Sequence, residues 1–188
     1  LSGFCTGYFL HGKAAEHSMI IKTDGSLWGF GRNDTGQLGD GTTTNRNTPT
    51  MIISSGVAQV ACGHKHTLVL KTDGSLWTFG QNNYGQLGNG NTTNRSTPLQ
   101  ILPSGVSQVS AGYYHSLVLK TDGSLWAFGR NIYGQLGNGN TTDRTTPTQI
   151  LQSGVSKIAA GGSFSLISKT DGSLWGFGRN TVGQLGDG

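Results

Sequence analysis

The sequence predicts an all-β fold built from repeats of one four-stranded unit, and three observations support this prediction. First, 32 of the 188 residues are Gly, more than twice the average usage of about 7%; turns between short strands need glycine, whereas helix interiors tolerate little of it. Second, charged residues make up only 12% of the chain and aromatic residues 9%, which excludes disorder of the highly charged, weakly hydrophobic type. Third, the chain repeats itself.

The repeat has a period of 49 residues and is marked by four tryptophans, at Trp28, Trp77, Trp126 and Trp175. Each of them ends the segment Lys-Thr-Asp-Gly-Ser-Leu-Trp and is followed by Gly-Gln-Leu-Gly. Units of this length that recur at a fixed period indicate solenoids, propellers or arrays. Four strands in each unit favour a propeller blade over a solenoid, whose repeats are usually shorter or helical.

The second unit shows the predicted strands in order. The first strand covers residues 59–62 and ends in small residues, as an inner strand crowded around an axis requires. The second strand, residues 67–71, is apolar on both faces, which is typical of a sheet that is covered on both sides. Asp73-Gly74 predicts a two-residue type I′ hairpin to the third strand, residues 75–79. Pro98 begins the fourth strand and predicts a position at the edge of the sheet.

The tryptophans are predicted to be core residues of the blades, because each lies in the third strand between Leu and an aromatic or small residue. A buried Trp side chain removes about 150–250 Å² from water. We therefore interpret Trp28, Trp77, Trp126 and Trp175 as structural rather than as parts of a binding site.

No constellation of residues predicts catalysis or a cofactor. His17, His66 and His115 occupy one position of the unit, but Phe164 replaces them in the last unit. A metal ligand or a general base would not keep its role after that replacement, so we predict a structural hydrogen bond or a packing role. Glu16 is the one Glu, and half of the eight Asp belong to the repeated turn, so paired carboxylates for acid–base chemistry are not expected.

The two cysteines, Cys5 and Cys62, lack the spacing of metal ligands. We expect two buried thiols, with a disulfide between them as the open alternative. Residues 1–13 fit the repeat poorly and are predicted to form a degenerate strand or a cap. Residues 14–188 hold the repeats, with the Trp hairpins at 22–41, 71–90, 120–139 and 169–188.

The net charge of +4 is too small to indicate nucleic-acid binding on its own. The lysine of each Trp hairpin is predicted to be balanced by the Asp two residues later, which leaves a weak ring of arginines rather than a basic stripe. These arginines are Arg32, Arg46, Arg95, Arg130, Arg144 and Arg179. No apolar run approaches the roughly 18 residues of a membrane span, and nothing in the sequence indicates the compartment.

Candidate binding residues lie where the copies of the unit differ, since the scaffold constrains the other positions. The differences fall in the loop between the first and second strands and in the loop before Gly-Gln-Leu-Gly. Binding residues concentrate on loops, and Tyr is enriched at protein interfaces. Neutral drift among duplicated units explains the same variation equally well. The candidates for a protein-binding surface are His64, Lys65, Tyr84, Tyr113, Tyr114, Tyr133 and Ser163.

The repeat resembles that of the RCC1 (regulator of chromosome condensation) family, and its near-identical short units resemble those of bacterial members. The resemblance rests on Ser-Leu-Trp-Gly-Phe-Gly-Arg-Asn-x-x-Gly-Gln-Leu-Gly-Asp-Gly, on the Thr-Pro strand and on Ala-Gly-x-x-His-Ser. The family forms seven-bladed propellers, so the resemblance implies an open arc of about four blades; a closed ring of four is the alternative.

The resemblance also implies a function: a non-catalytic scaffold whose partner is a protein held by loops on one ring face. Guanine-nucleotide exchange on a small GTPase is the alternative, but family members use an inserted wedge for it, and the constant 49-residue spacing leaves no room for one. Chromatin or nucleic-acid association is a further alternative, although a basic tail is lacking. Open blade edges predict self-association.

Overall fold

The computed structural model describes residues 2–6 and 16–187, and all of its regular elements in these ranges are β-strands. The strands in chain order are β1 (Gly3–Thr6), β2 (His17–Ile21), β3 (Leu27–Gly31), β4 (Arg46–Ile53), β5 (Val57–Cys62), β6 (His66–Lys71), β7 (Leu76–Gly80), β8 (Arg95–Leu102), β9 (Val106–Ala111), β10 (His115–Lys120), β11 (Leu125–Gly129), β12 (Arg144–Leu151), β13 (Val155–Ala160), β14 (Phe164–Lys169) and β15 (Leu174–Gly178).

The strands form four antiparallel sheets, each a blade whose strands follow chain order from the inside outwards. The first blade is β1–β4, the second β5–β8, the third β9–β12 and the fourth β13–β15. The inner strands of consecutive blades lie beside one another, from β1 to β5, β9 and β13. The blades form an open arc, so the predicted all-β propeller architecture with about four blades is confirmed.

Residues 3–6 form the inner strand of the first blade, where Gly3 pairs with Ile21 and Cys5 with Met19. The remainder of the predicted N-terminal strand or cap, residues 7–13, lies outside the described residues. These residues therefore take the inner-strand position of the first blade, although their sequence resembles that of the other inner strands only weakly.

The core consists of three apolar clusters, one between each pair of neighbouring blades. Between the second and third blades, Leu68, Leu76 and Phe128 are fully buried and pack together with residues of β9 and β10. The same positions build the cluster between the first two blades and the one between the last two. In β6 all residues but the last are buried, as predicted for a strand covered on both faces.

Glycine allows the blades to approach closely at one point of this core. Gly88, in the Gly-Gln-Leu-Gly loop of the second blade, has φ of 73°. A Cβ atom on Gly88 would lie 2.9 Å from the ring of Phe128 in the third blade. Both the left-handed backbone and the aromatic ring therefore exclude a side chain here.

The four tryptophans lie at the edge of the core and not within it, which corrects the prediction that they are core residues. Trp28, Trp77 and Trp126 are half-buried, and Trp175 is 52% exposed. The reason is their place next to the hairpin at the end of the blade, where the Lys of the same hairpin covers the outer side of the ring. Trp175 is the most exposed because the structure describes no fourth strand beside β15.

The hairpin between the second and third strands also differs from the prediction. Gly74 N donates to Lys71 O at 3.0 Å, so a four-residue turn spans Lys71 to Gly74, and Lys71 N donates to Ser75 O at 3.0 Å. This is the three-residue connection in which one glycine in the left-handed region forms a bulge. Gly74 has φ of 78°, whereas a type I′ turn needs positive φ at two residues.

The hairpin lysines pair with tryptophan rings rather than with the nearby aspartates. Lys Nζ lies 3.6–4.5 Å from the ring centroid of Trp in each of the four hairpins. In the second blade, Asp73 Oδ1 instead accepts from Ser75 N and Oγ, and Ser75 Oγ accepts from Trp77 Nε1 at 2.9 Å. Hydrogen bonds from Ser75, with a smaller electrostatic contribution from Lys71, lower the pKa of Asp73. The predicted charge balance therefore acts at a distance, and the close contact of the lysine is the cation–π contact.

Cys5 and Cys62 form a disulfide, so the expectation of two buried thiols is wrong. The bond joins β1 to β5, whose Cα atoms at these positions are 5.7 Å apart, within the usual span for a disulfide. The inner strands converge on the axis, and this convergence brings together two residues that are 57 positions apart in the sequence.

Candidate functional site

The candidate binding residues lie at one end of the blades, which we call the ring face. Because the strands are antiparallel, the loop between the first and second strands and the loop between the third and fourth strands emerge at the same end. The ring face comprises residues 63–65, 112–114 and 161–163 from the former, and 32–35, 81–84, 130–133 and 179–182 from the latter. The two sets of sequence differences therefore meet in space.

Backbone hydrogen bonds join the first set of loops across three blades. His64 N donates to Tyr113 O at 3.3 Å, and Tyr113 N donates to Gly162 O at 3.0 Å. The side chains follow the same path, since the rings of His64 and Tyr113 stack with centroids 4.2 Å apart and planes 9° from parallel. These contacts hold the loops in fixed relative positions.

Four rings and one guanidinium form what we call the tyrosine cluster: His64, Tyr84, Tyr113, Tyr114 and Arg130. The Tyr114 ring packs edge-on against that of Tyr113 at 4.4 Å and lies 5.0 Å from that of Tyr84. The guanidinium carbon of Arg130 lies 4.6 Å from the Tyr84 centroid and 5.5 Å from that of Tyr114. Burial, with a smaller contribution from Tyr113, raises the pKa of Tyr114 to about 12, so its hydroxyl stays protonated and can donate a hydrogen bond.

The other three predicted residues flank the tyrosine cluster. Tyr133 is 43% exposed and lies 5.4 Å from the guanidinium carbon of Arg179. Ser163 accepts a hydrogen bond from Arg179 N through its carbonyl at 2.9 Å. Lys65 lies on the opposite side, where its Nζ is 3.0 Å from Asp34 Oδ2.

Sequence reasoning missed the role of Arg130 and Arg179 at this face. The sequence predicts only a weak ring of arginine charge, although the unit position of Arg130 and Arg179 reads Arg32, Gln81, Arg130 and Arg179 along the chain. The available signal was that this position varies in the same loops as the tyrosines. The structure adds that the guanidinium groups lie over the tyrosine rings of the preceding blade.

Beneath the ring face, histidines link each blade to the next. His66 Nε2 is 3.1 Å from Ser116 Oγ, which donates to Gln86 O at 2.8 Å. Since the hydroxyl proton is used for Gln86 O, the histidine Nε2 must be the donor to Ser116. His17 and His115 form the same bridges to Thr67 and Ser165. These histidines are therefore buried linkers and not surface ligands.

The same histidines are held neutral by burial. Burial lowers the pKa of His66 to about 3, with smaller contributions from neighbouring histidines, and lowers those of His17 and His115 to about 4. The Nδ1 atom of each is buried and has no hydrogen-bond partner among the described residues. The bridges thus form with uncharged rings at neutral pH.

Near the axis, glutamine side chains join neighbouring inner strands. Gln59 accepts from Val109 N and donates to Val109 O, both at 3.1 Å, and Gln108 makes the same pair of contacts with Ile158. A primary amide offers a donor and an acceptor like those of a peptide group, so it satisfies the free edge of the next strand. Gly3 pairs at the corresponding position of β1, and there the disulfide provides the link.

Two further observations bear on the chemistry. Within residues 2–6 and 16–187, no group of three or more His, Cys, Asp or Glu side chains could hold a metal ion. The described part of the chain also contains no helix that is long and apolar enough to span a membrane.

Comparison with curated proteins identifies relatives over short segments. Protein RCC2 homolog from Danio rerio is 47% identical over 55 residues, which are 28% of this chain and 11% of that protein. Protein RCC2 from Mus musculus is 39% identical over 66 residues, or 34% of this chain and 13% of that protein. The matched segments thus span only about a tenth of the length of these relatives.

Solved structures resemble nearly the whole chain. Human WBSCR16 superposes with a TM-score of 0.80 at 27% identity, over 91% of this chain and 47% of that protein. Yeast RCC1 (Prp20), in its complex with Kap60, also gives a TM-score of 0.80, at 23% identity over 92% of this chain and 44% of that protein. The chain therefore corresponds to slightly less than half of each of these propellers.

Residues 13–188 match the family described as the RCC1-like domain, and this match agrees with the repeated blade and the propeller neighbours. The chain belongs to the RCC1-like domain family.

Proposed function

We propose that this chain is a non-catalytic scaffold that binds a protein partner through the tyrosine cluster on its ring face. The observation that carries the proposal is the convergence of His64, Tyr84, Tyr113, Tyr114 and Arg130 from two adjacent blades into one contiguous group. Tyr and Arg are among the residues most enriched in the energetically dominant parts of protein interfaces. Loops on a rigid β scaffold are also the usual place for such residues.

Contacts within the protein hold the tyrosine cluster in place. His64 and Tyr113 are held by backbone bonds to the next blade, and each ring in the cluster contacts at least one other ring. A preorganised surface loses little side-chain entropy on binding. Such a surface favours a stable contact with one partner over an adaptable contact with many.

The test uses the purified chain as bait in an extract of the cells that express it, followed by affinity measurement with the purified partner. We expect the double substitution Tyr113→Ala and Tyr114→Ala to weaken binding by about 30-fold or more, as for a hot spot of about 2 kcal/mol. Met51→Ala is the matched control, because Met51 is 52% exposed but lies on the outer strand β4. Equal loss in both variants, or none in either, would refute the assignment of the cluster.

Guanine-nucleotide exchange on a small GTPase is the second candidate. The observation in its favour is the likeness to Prp20 from Saccharomyces cerevisiae, whose structure was solved together with a study of its binding to Gsp1p and histones. The two chains are 22% identical, so the likeness covers the fold alone. In the described residues, the second and third units have the same strand lengths and no inserted element. If the chain accelerates release of a fluorescent guanine nucleotide from a purified small GTPase, exchange replaces the scaffold proposal; a flat trace removes exchange.

Nucleic acid is the least favoured partner. The arginines of the ring face lie over tyrosine rings or in ion pairs, and they do not form a continuous track for a phosphate backbone.

We also propose that the chain associates with itself through the uncovered edge of the fourth blade, where Leu174 is 71% exposed.

A further inference from the structure

The ring face has two electrostatically different halves. In the first blade, Arg32 forms ion pairs with Glu16 at 2.7 Å and with Asp34 at 2.5 Å, and Lys65 from the second blade joins Asp34 at 3.0 Å. Burial alone would raise the pKa of Asp34, but hydrogen bonds from Arg32, Lys65 and Gln37 outweigh this and lower it to about 2. Two cations and two carboxylates thus balance one another in this half.

In the third and fourth blades, the position of Arg32 is occupied by Arg130 and Arg179. Neither guanidinium lies within ion-pair distance of a carboxylate of the described residues. Each lies over tyrosine instead, Arg130 over Tyr84 and Tyr114, and Arg179 over Tyr133. The Nε atom of Arg130 is buried and has no hydrogen-bond partner in the described structure.

The carboxylates that balance Arg32 are replaced in these blades by residues without charge. The unit position of Glu16 carries Tyr114 in the third blade and Ser163 in the fourth. The position of Asp34 carries Ile132 and Thr181. The first blade therefore shows which chemistry this arginine position accommodates, and the later blades keep the cation but lack the anions.

The outer rim of the ring face changes in the same direction. Arg46 is paired with Asp40 at 2.5 Å in the first blade, whereas Asn89 and Asn138 take the place of Asp40 beside Arg95 and Arg144. The nearby Asp143 accepts from Asn131 N at 2.7 Å and belongs to its own loop. Arg95 and Arg144 thus lack the ion pair that Arg46 makes, while Asp143 and, in the fourth blade, Asp187 are the carboxylates that remain in these loops.

We propose that the partner is an acidic protein segment that presents Asp or Glu carboxylates to Arg130 and Arg179 while it packs against the neighbouring tyrosines. This inference rests on the proposed function and specifies the chemistry of the partner. Arg binds carboxylates through paired N–H groups, and a guanidinium whose flat face rests on a tyrosine ring keeps N–H groups at its edge for such contacts. The partner's carboxylates then take the roles that Glu16 and Asp34 play for Arg32 in the first blade.

The experiment measures binding of short fluorescent peptides to the purified chain by anisotropy. One peptide combines several Glu with Leu and Phe, the second has Gln in place of each Glu, and the third has Lys. We expect the acidic peptide to bind at least about tenfold more tightly than the Gln peptide. Its affinity should fall as the salt concentration rises through about 0.15 M. The Lys peptide should not bind.

Substitutions then test whether the two arginines are responsible. Arg130→Gln and Arg179→Gln use the residue that the second blade has at this position, Gln81, so folding is expected to persist. We expect the double variant to bind the acidic peptide about tenfold or more weakly than the unchanged chain does. The matched control is Lys157→Gln, which removes a positive charge from the inner strand β13 and introduces the residue found at the same register in β5 and β9; it should leave binding unchanged.

The outcomes separate this inference from the proposed function. Equal binding of the acidic and Gln peptides, no binding of either, or equal effects of Arg130→Gln and Lys157→Gln would each overturn the acidic partner. If the captured partner nevertheless depends on Tyr113 and Tyr114, the scaffold function stands and only its charge preference is wrong. If capture also survives the loss of both tyrosines, the proposed function fails as well.

Discussion

At the scale of single residues, the buried histidines illustrate how the fold uses a titratable group without exposing it. His66 donates from Nε2 to a hydroxyl of the next blade, while its Nδ1 stays buried and unpartnered. A proton on Nδ1 would place a charge in an apolar interface without compensation, and this is why the pKa values are depressed. The ring of Phe164 packs against Gly161 as the ring of His66 packs against Gly63. The fourth blade therefore keeps an aromatic ring at this position without the hydrogen bond that histidine makes to the next blade.

The first prediction concerns acid stability. Because the histidines titrate near 6.5 when unfolded and near 3–4 when folded, the stability they contribute is present above pH 6.5 and is lost as the pH falls towards 4. We expect the free energy of unfolding to fall by about 1.4 kcal/mol per pH unit for each histidine in this window.

The measurement is urea denaturation between pH 7 and 4 with His66→Phe as the comparison. The substitution copies the residue of the fourth blade and should reduce the slope of stability against pH by one histidine's share. An unchanged slope would show that His66 is already protonated in the folded protein.

At the scale of elements, the inner strands show two ways of joining neighbours around the axis. Gln59 and Gln108 bind the free edge of the following strand, which removes the unpaired backbone groups that make edge strands prone to association. Between β1 and β5 a disulfide takes their place. The covalent link holds a strand of only four residues, β1, whose residue Phe4 is 77% exposed.

The second prediction is that this disulfide stabilises the chain substantially. Closing a loop between residues 57 positions apart contributes about 4 kcal/mol in the chain-entropy description. We expect a reducing agent, or Cys5→Ala with Cys62→Ala, to lower the midpoint of guanidinium denaturation. The double variant serves as the control for the reductant, because reductant must leave its midpoint unchanged; a wild-type midpoint that is insensitive to reductant would contradict the prediction.

The elements were largely predictable from sequence, and the errors have physical causes. Strand positions followed from the exact repeat, but the Asp73-Gly74 signal is shared by two-residue and three-residue hairpins. The exposure of Trp77 depends on how close it lies to the end of the blade. The 49-residue period of the repeat does not contain that information. The disulfide joins positions that are not equivalent in the repeat, so comparing units could not reveal it. The tyrosines were predicted because the copies of the unit differ in both loops, and their binding role stays a prediction. The role of Arg130 was missed because its contacts with Tyr84 and Tyr114 join residues from different loops.

At the scale of the whole molecule, the fourth blade differs from the second and third in the burial of its third strand. Leu76 and Leu125 are fully buried, while Leu174 at the same position of the fourth blade is 71% exposed and Trp175 is 52% exposed. The outer side of β15 has no strand partner in the described residues. Apolar surface next to an unpaired strand edge favours association.

The third prediction is that the chain self-associates through this edge. Sedimentation velocity over a range of concentrations should show a dimer or larger species. Leu174→Lys combined with Trp175→Lys should shift the distribution towards monomer, because charges on an edge oppose strand pairing. Met51→Lys is the control, because Met51 is also exposed but lies on the outer strand β4 of the first blade. A monomer at all concentrations would refute self-association.

The hydrogen bonds between blades also bear on how the chain folds. The histidine and glutamine bridges join residues 50 positions apart, and the hydroxyl-to-carbonyl bonds join residues 30 apart. Contacts of fixed sequence separation give a relative contact order that falls as units are added, and low contact order is associated with fast folding. Each interface can therefore serve as a nucleus from which order spreads to its neighbours, and each added unit brings contacts of the same sequence separation.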